Sequence, residues 1–226
     1  MPLTSGDFLG HDAGTFFALF NYVQGAEPSN FSDSVARELA HAVDILYTVG
    51  ETFGRPNGSS NLSIDKRALA QYEESRQSSP LLDQSIADIV HVLRSHLLAN
   101  AQSISHLKTG LVHGDLKLEN TLFLHDKLQA ILDFDDYRYS YLLEDTAMVL
   151  MHNLHDPTKN CIRSGKYDDF VRAITNPHLL SDINSSLKIL LRARFLYDAC
   201  KYILNNNVRL VEQLLNDKHI NRYIFS

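Results

Sequence analysis

Residues 111–136 bring together side chains able to do chemistry: His113-Gly114-Asp115, then Asn120, then Asp133-Phe134-Asp135-Asp136. The polar stretch between Asp115 and Asn120 reads as loop. Residues 121–124 and 129–132 read as two short strands joined by the turn His125-Asp126-Lys127. A hairpin of that length folds the second acidic cluster back beside the first loop, so that a carboxylate, an amide and a further carboxylate converge. Phosphoryl transfer from ATP needs that set: an Asp to orient a hydroxyl and accept its proton, and an amide with a carboxylate to hold the magnesium that bridges the phosphates. A lone His-x-Asp is more often an ordinary turn. The pattern rises above that reading because Asn follows the Asp by five positions and an apolar-flanked Asp-Phe-Asp closes the hairpin.

His-Gly-Asp-Leu-Lys-Leu-Glu-Asn followed by Ile-Leu-Asp-Phe-Asp-Asp resembles the catalytic loop and metal motif of the aminoglycoside phosphotransferase family, the kinase-like small-molecule kinases that include choline, homoserine and hydroxylysine kinases. Protein kinases carry H-R-D-x-x-x-x-N and D-F-G instead. Gly114 in place of their Arg, and Asp135 in place of their Gly, favour the small-molecule branch. The resemblance implies an α+β, protein-kinase-like fold, mainly the helical C-terminal lobe with a catalytic β-hairpin. It also implies Asp115 as catalytic base, Asn120 and Asp133 as magnesium ligands, Asp135 as a candidate second-metal or substrate-ammonium contact, and His113 as a brace for the loop. Asp145 matches a D-x-A motif whose Asp ties the catalytic loop through backbone hydrogen bonds; an Asp favoured by a helix dipole fits the same position. By resemblance the acceptor is a small molecule with a hydroxyl: an amino alcohol, a hydroxy amino acid or an aminoglycoside. The homoserine, hydroxylysine and stress-response kinase branch is the nearest in pattern.

A chain of 226 residues, 44% hydrophobic and 21% charged, can bury a sizeable core as an ordinary globular protein. A net charge of -6 argues against a nucleic-acid footprint, which needs clustered Lys and Arg. No apolar run reaches bilayer length and the N-terminus lacks signal-peptide character, so the expectation is a cytoplasmic protein with no membrane partner. Cys161 and Cys200, far apart, argue against a disulfide framework or a zinc site.

The elements that must position the motif follow from periodicity. Residues 4–9 and 15–20 flank Gly10-His11-Asp12-Ala13-Gly14 and read as a hairpin, followed by the extended connector Asn21-Tyr22-Val23-Gln24-Gly25. By the resemblance this connector is the hinge that binds adenine, with the Asn21 carbonyl and Val23 amide as contacts and Phe20 behind the ring. Residues 1–36 contain no Lys and no Arg. The phosphate-holding Lys and glycine-rich loop of kinase-like enzymes are therefore not encoded there. The expectation is a remnant of the N-terminal lobe (1–25) joined to a helical C-terminal lobe (26–226), with weak ATP binding and low or absent activity. A non-catalytic, pseudokinase-like binding module is the alternative. An apolar hairpin edge over residues 4–20 would favour self-association.

Helices are expected over residues 33–49, 64–76, 81–107, 167–174, 183–204 and 208–215, with one opening near Leu142 and a loop over 51–62. Residues 137–141 read as an aromatic loop. His91, His96 and His106 read as ordinary helix residues with no carboxylate cluster on their face.

Overall fold

The computed structural model describes residues 9–12, 15–18, 22–54, 63–78, 84–153, 155–156, 161–162, 164–205 and 207. The first described elements are strands β1 (Leu9–Asp12) and β2 (Thr15–Ala18), antiparallel with Gly10 opposite Phe17. Gly10, His11 and Asp12 thus lie in a strand and not in the turn that glycine content suggested. Phe20, Asn21 and the side chains of residues 1–21 lie outside the described residues, as does the expected helix over 208–215.

Helix α1 (Asp33–Thr52) starts where Ser32 accepts the Val35 amide at 3.2 Å, leaving one fewer orphan donor in the first turn. Helices α2 (Ile64–Ser78) and α3 (Gln84–Ala99) follow. The periodic apolar run over 81–107 does not stay one helix: α3 gives way to a 3-10 turn at Ala101–Ile104 and then to strand β3 (Thr109–Val112). Asn100 ends the α-helix, its side chain donating to the His96 carbonyl at 2.8 Å.

Strands β4 (Thr121–Leu124) and β5 (Lys127–Ile131) form the expected hairpin. Its turn is two residues long, with His125 and Asp126 both at positive φ (48° and 60°), so Lys127 belongs to the strand. Glu38 of α1 anchors the hairpin tip, accepting from Lys127 Nζ at 2.6 Å and from the Leu128 amide at 3.2 Å. The connector is tied to the same hairpin, because Ala26 and Phe123 exchange backbone hydrogen bonds of 3.0 and 2.8 Å. Gly25 permits that approach: a Cβ there would stand 3.0 Å from the Leu122 Cβ.

The aromatic segment expected as loop is strand β6 (Arg138–Tyr141), paired antiparallel with β3 so that Val112 faces Arg138. Nothing local to residues 137–141 announces a partner thirty residues earlier. Helix α4 (Leu143–Asn153), the short strands β7 (His155–Asp156) and β8 (Cys161–Ile162), and helix α5 (Ser164–Ala173) lead to α6 (Pro177–Leu204). Asn176 caps α6 by accepting the His178 and Leu179 amides, with Pro177 placed where a missing N–H is harmless.

Helix α6 is the spine of the core. Leu179, Ile183, Leu187, Leu190, Phe195 and Leu196 are buried on it, and α2, α3 and α4 all pack against it. Two buried acids join α1 to the C-terminal helices. Asp44 accepts the Thr175 amide and hydroxyl, each at 2.7 Å, and Asp182 accepts the Tyr47 phenol at 2.7 Å. Cys200 is buried and free, its thiol pushed by burial to about 11, so it carries little thiolate at neutral pH.

Candidate active site

The site starts from a close crossing of α1 and β3. A Cβ at Gly50 would collide with the Leu111 carbonyl, and one at Gly110 with the Gly50 carbonyl. Two glycines therefore let backbone meet backbone and set where β3 delivers His113. Gly114 follows at φ +84°, a conformation that favours glycine, and a side chain there would overlap the Arg138 guanidinium.

Asp145, buried near the start of α4, holds this loop from behind. Its Oδ2 accepts the His113 amide at 2.9 Å and its Oδ1 the Gly114 amide at 2.8 Å. Burial pushes the Asp145 carboxyl up, and neighbouring Glu144 adds to that push; together they outweigh the two amides, which pull the other way. His113 is also buried. Its Nδ1 accepts the Asp115 amide at 3.2 Å, which leaves the proton on Nε2 to bond the Leu132 carbonyl at 2.8 Å. The Phe134 ring packs 4.4 Å from the imidazole, so His113 touches both the first loop and the second acidic cluster.

Asn120 closes the loop. Its side-chain amide donates to the Asp115 carbonyl at 2.8 Å and to Asp115 Oδ2 at 3.1 Å, while its backbone carbonyl accepts the Leu132 amide at 2.8 Å. The hairpin register, Thr121 opposite Ile131, thus brings Asp133 back beside Asn120. Asp133 takes φ +61°, a left-handed conformation that Asp tolerates, and breaks the strand into a 3-10 turn, Phe134–Asp136. Asp133, Asp135 and Asp136 are all exposed.

Sequence reasoning passed over several side chains. Lys117 Nζ lies 3.0 Å from Asp115 Oδ2 and 3.6 Å from Glu119. Burial pulls the Lys117 ammonium down, but its bond to Asp115, with help from Glu119, outweighs that and raises it. Arg138, paired with buried Glu144, was equally silent; a surface-like Arg in an aromatic run gives no local signal. From the helices come His152, Arg194 and Asp198. Arg194 donates to Asp198 at 2.9 Å, and the charges of Asp115 and Lys117 both bear on His152. His152 is exposed, and burial with the charge of Arg194 holds its imidazole below the ordinary value.

Asn120 and Asp133 fit a hard divalent cation. With its NH2 group engaged by Asp115, Asn120 has its side-chain oxygen left to bind, and the Asp133 carboxylate makes no capping bond. Among the described residues no three His, Cys, Asp or Glu side chains gather as a metal cage. Val23 is partly exposed on the connector. No helix among the described residues is long and apolar enough to cross a membrane.

A helical body, a catalytic-type loop braced by a buried Asp and an acidic turn after a hairpin define a kinase-like fold. The chain belongs to the phosphotransferase enzyme family (APH), whose family model matches residues 2–168. Among curated proteins it is similar to the homoserine kinase of Rhizobium rhizogenes, 29% identical over 138 residues, and to that of Rhizobium etli, 31% over 139 residues; each match covers 59% of this chain and 40% of the relative. The chain thus spans less than half the length of these relatives. Among solved structures it is similar to the GDP complex of aminoglycoside 2'-phosphotransferase-IIIa (17% identity, TM-score 0.64, 96% of this chain and 73% of that one). It also matches amicoumacin kinase in complex with AMP-PNP and Ca2+ (12%, TM-score 0.63, 97% and 70%). The choline kinase of Streptococcus pneumoniae matches at 9%, with a TM-score of 0.61 over 89% and 69%. At these identities the structures establish the fold.

Proposed function

We propose that this chain carries the base-and-metal half of an ATP-dependent kinase that phosphorylates a hydroxyl of a small molecule. The observation that supports it best is the arrangement around Asp115: a carboxylate held by Asn120 and Lys117, on a loop whose two amides are fixed by Asp145. Asp115 orients the acceptor hydroxyl and takes its proton as the oxygen bonds to the γ-phosphorus and the bond to the leaving ADP oxygen breaks. Asn120 and Asp133 would hold Mg2+, with Asp135 as a second contact. Held there, the ion would supply positive charge against the nucleotide phosphates. Lys117 braces the Asp115 carboxylate from 3.0 Å, and His113 keeps the loop in register with the acidic turn. By the resemblance, Phe20, Asn21 and Val23 of the hinge section, residues 1–25, would contact the adenine.

The acceptor would approach from the side of His152, Arg194 and Asp198, which offers both charges to a small polar molecule. The homoserine kinases among the relatives favour a hydroxy amino acid over an amino alcohol or an aminoglycoside. One observation favours a second reading, a pseudokinase-like binding module: residues 1–36 supply no Lys or Arg to grip the triphosphate. Calorimetry of the 226-residue chain with Mg-ATP, paired with phosphoryl transfer to homoserine, choline and kanamycin, separates the two. Weak binding with slow transfer that falls about 10²–10⁴-fold in Asp115→Asn is expected. Transfer that survives in Asp115→Asn defeats the catalytic reading, and no transfer to any acceptor at saturating Mg-ATP favours the binding module.

A further inference from the structure

Arg138 joins the two halves of the site through its guanidinium. Its Nη1 donates to the Asp136 carbonyl at 2.8 Å, at the end of the acidic turn. Its Nη2 donates to the Gly114 carbonyl at 3.3 Å, on the residue just before Asp115, and also pairs with Oε1 of buried Glu144. The pairing of β3 with β6 puts Arg138 opposite Val112, where the base loop begins. Gly114 is its complement, because any side chain at that position would occupy the space the guanidinium fills.

A purely structural ion pair would be expected to satisfy its own polar atoms. Here Arg138 Nε and Glu144 Oε2 are buried with no protein partner among the described residues. The arrangement accepts that disadvantage while directing two N–H groups at two loop carbonyls. Glu144 and Asp145 are adjacent on α4, so one helix turn fixes the carbonyl side of the loop through Arg138 and its amide side directly. Nothing else among these contacts bonds both Gly114 and Asp136.

We propose that Arg138 is a positioning residue: by bonding the Gly114 and Asp136 carbonyls at once, it sets the distance between the base Asp115 and the cation-holding Asp133 turn. This rests on the reading of Asn120 and Asp133 as the divalent-cation site. A lysine cannot reproduce the arrangement, since a point ammonium lacks the planar fork that reaches two carbonyls and a carboxylate together.

The test is Mn2+ binding to the full 226-residue chain in the presence of AMP-PNP, followed by electron paramagnetic resonance, in the wild type, Asp133→Asn, Arg138→Lys and the double variant Arg138→Gln/Glu144→Gln. The double variant removes the buried carboxylate charge along with the Arg138 guanidinium, so neither leaves the other unpaired; Arg67, 3.9 Å from Glu144, keeps its bond to the Tyr197 phenol. Circular dichroism at the same temperature confirms that each variant is folded. Because supporting groups around a metal typically contribute 10- to 100-fold in affinity, Arg138→Lys and the double variant should bind Mn2+ about 10- to 100-fold more weakly than wild type. Asp133→Asn should abolish binding. If Asp133→Asn loses Mn2+ while both folded Arg138 variants bind within twofold of wild type, Arg138 is only structural and the proposal falls alone. If wild type does not bind Mn2+, or Asp133→Asn binds as wild type does, the cation-site reading falls and takes the proposal with it.

Discussion

Asp145→Asn isolates the support of the catalytic-type loop. The substitution preserves shape but turns one of two acceptors into a donor. Asp145 accepts the His113 amide at 2.9 Å and the Gly114 amide at 2.8 Å, both within the buried back of the loop. An Asn can accept one and must present its NH2 to the other, leaving a buried N–H without a partner at a cost of about 1–3 kcal/mol. The surviving bond loses its charge assistance, about 1 kcal/mol more. Removing one of two adjacent acids relieves the push from Glu144, so the net loss is taken at the lower part of that sum, about 2–3 kcal/mol. At this chain length that corresponds to a drop in Tm of about 4–12 °C. Calorimetry reads the global loss, and hydrogen exchange reads it locally: the amide left without an acceptor should exchange about 30- to 160-fold faster relative to core amides of α6. A variant within 0.5 kcal/mol of wild type (about 0.5 being the usual scatter of neutral surface changes), with unaltered protection at His113 and Gly114, would refute the role of these bonds.

Three further outcomes follow from contacts away from the loop. Tyr47→Phe removes the donor to buried Asp182 and should cost about 1–3 kcal/mol, measured by urea midpoint. Burial and Asp182 raise the Tyr47 phenol above its usual value, so this link holds through neutral pH and weakens only in strong alkali. Gly50→Ala drives a methyl group into the Leu111 carbonyl at the α1–β3 crossing and should destabilise by about 1–3 kcal/mol; a neutral result in denaturant unfolding would mean the crossing is slack. Burial holds His96 below its ordinary imidazole value, assisted by Arg192, and burial with Arg194 does the same for His152 against the pull of Asp198 and Asp115. The unfolded chain takes up these protons first as pH falls below about 6.5, so their contribution is present above that pH and lost on acidification. Urea midpoints from pH 8 to pH 5 should fall, and less steeply in His96→Gln.

The helical character of most of the chain was legible because amphipathic spacing is a local signal. Val35, Leu39 and Val43 announce α1, and the apolar run over 183–204 announces most of α6. Boundaries were less legible. The helix over 81–107 stops at Ala99 because Asn100 turns back on His96, which apolar spacing does not encode. Strand β6 was read as loop because its strand character depends on β3, a partner remote in sequence. The loop and acidic turn were visible as residue types, and the hairpin between them was visible as alternation around a turn; whether they form a cation site is the question the Mn2+ experiment answers.

The sequence by itself determined the chemistry on offer around Asp115, because motif spacing along a loop and a hairpin fixes which side chains can come near one another. It also determined that residues 1–36 contain no Lys or Arg. The tertiary structure alone decided what holds the site in place. Lys117 against Asp115, Arg138 between Gly114 and Asp136, and the backbone contact of Gly50 with Gly110 are matters of packing and register. Such contacts depend on where α1, β3, β6 and α4 meet, and a side chain's distant partners leave no trace in its local pattern.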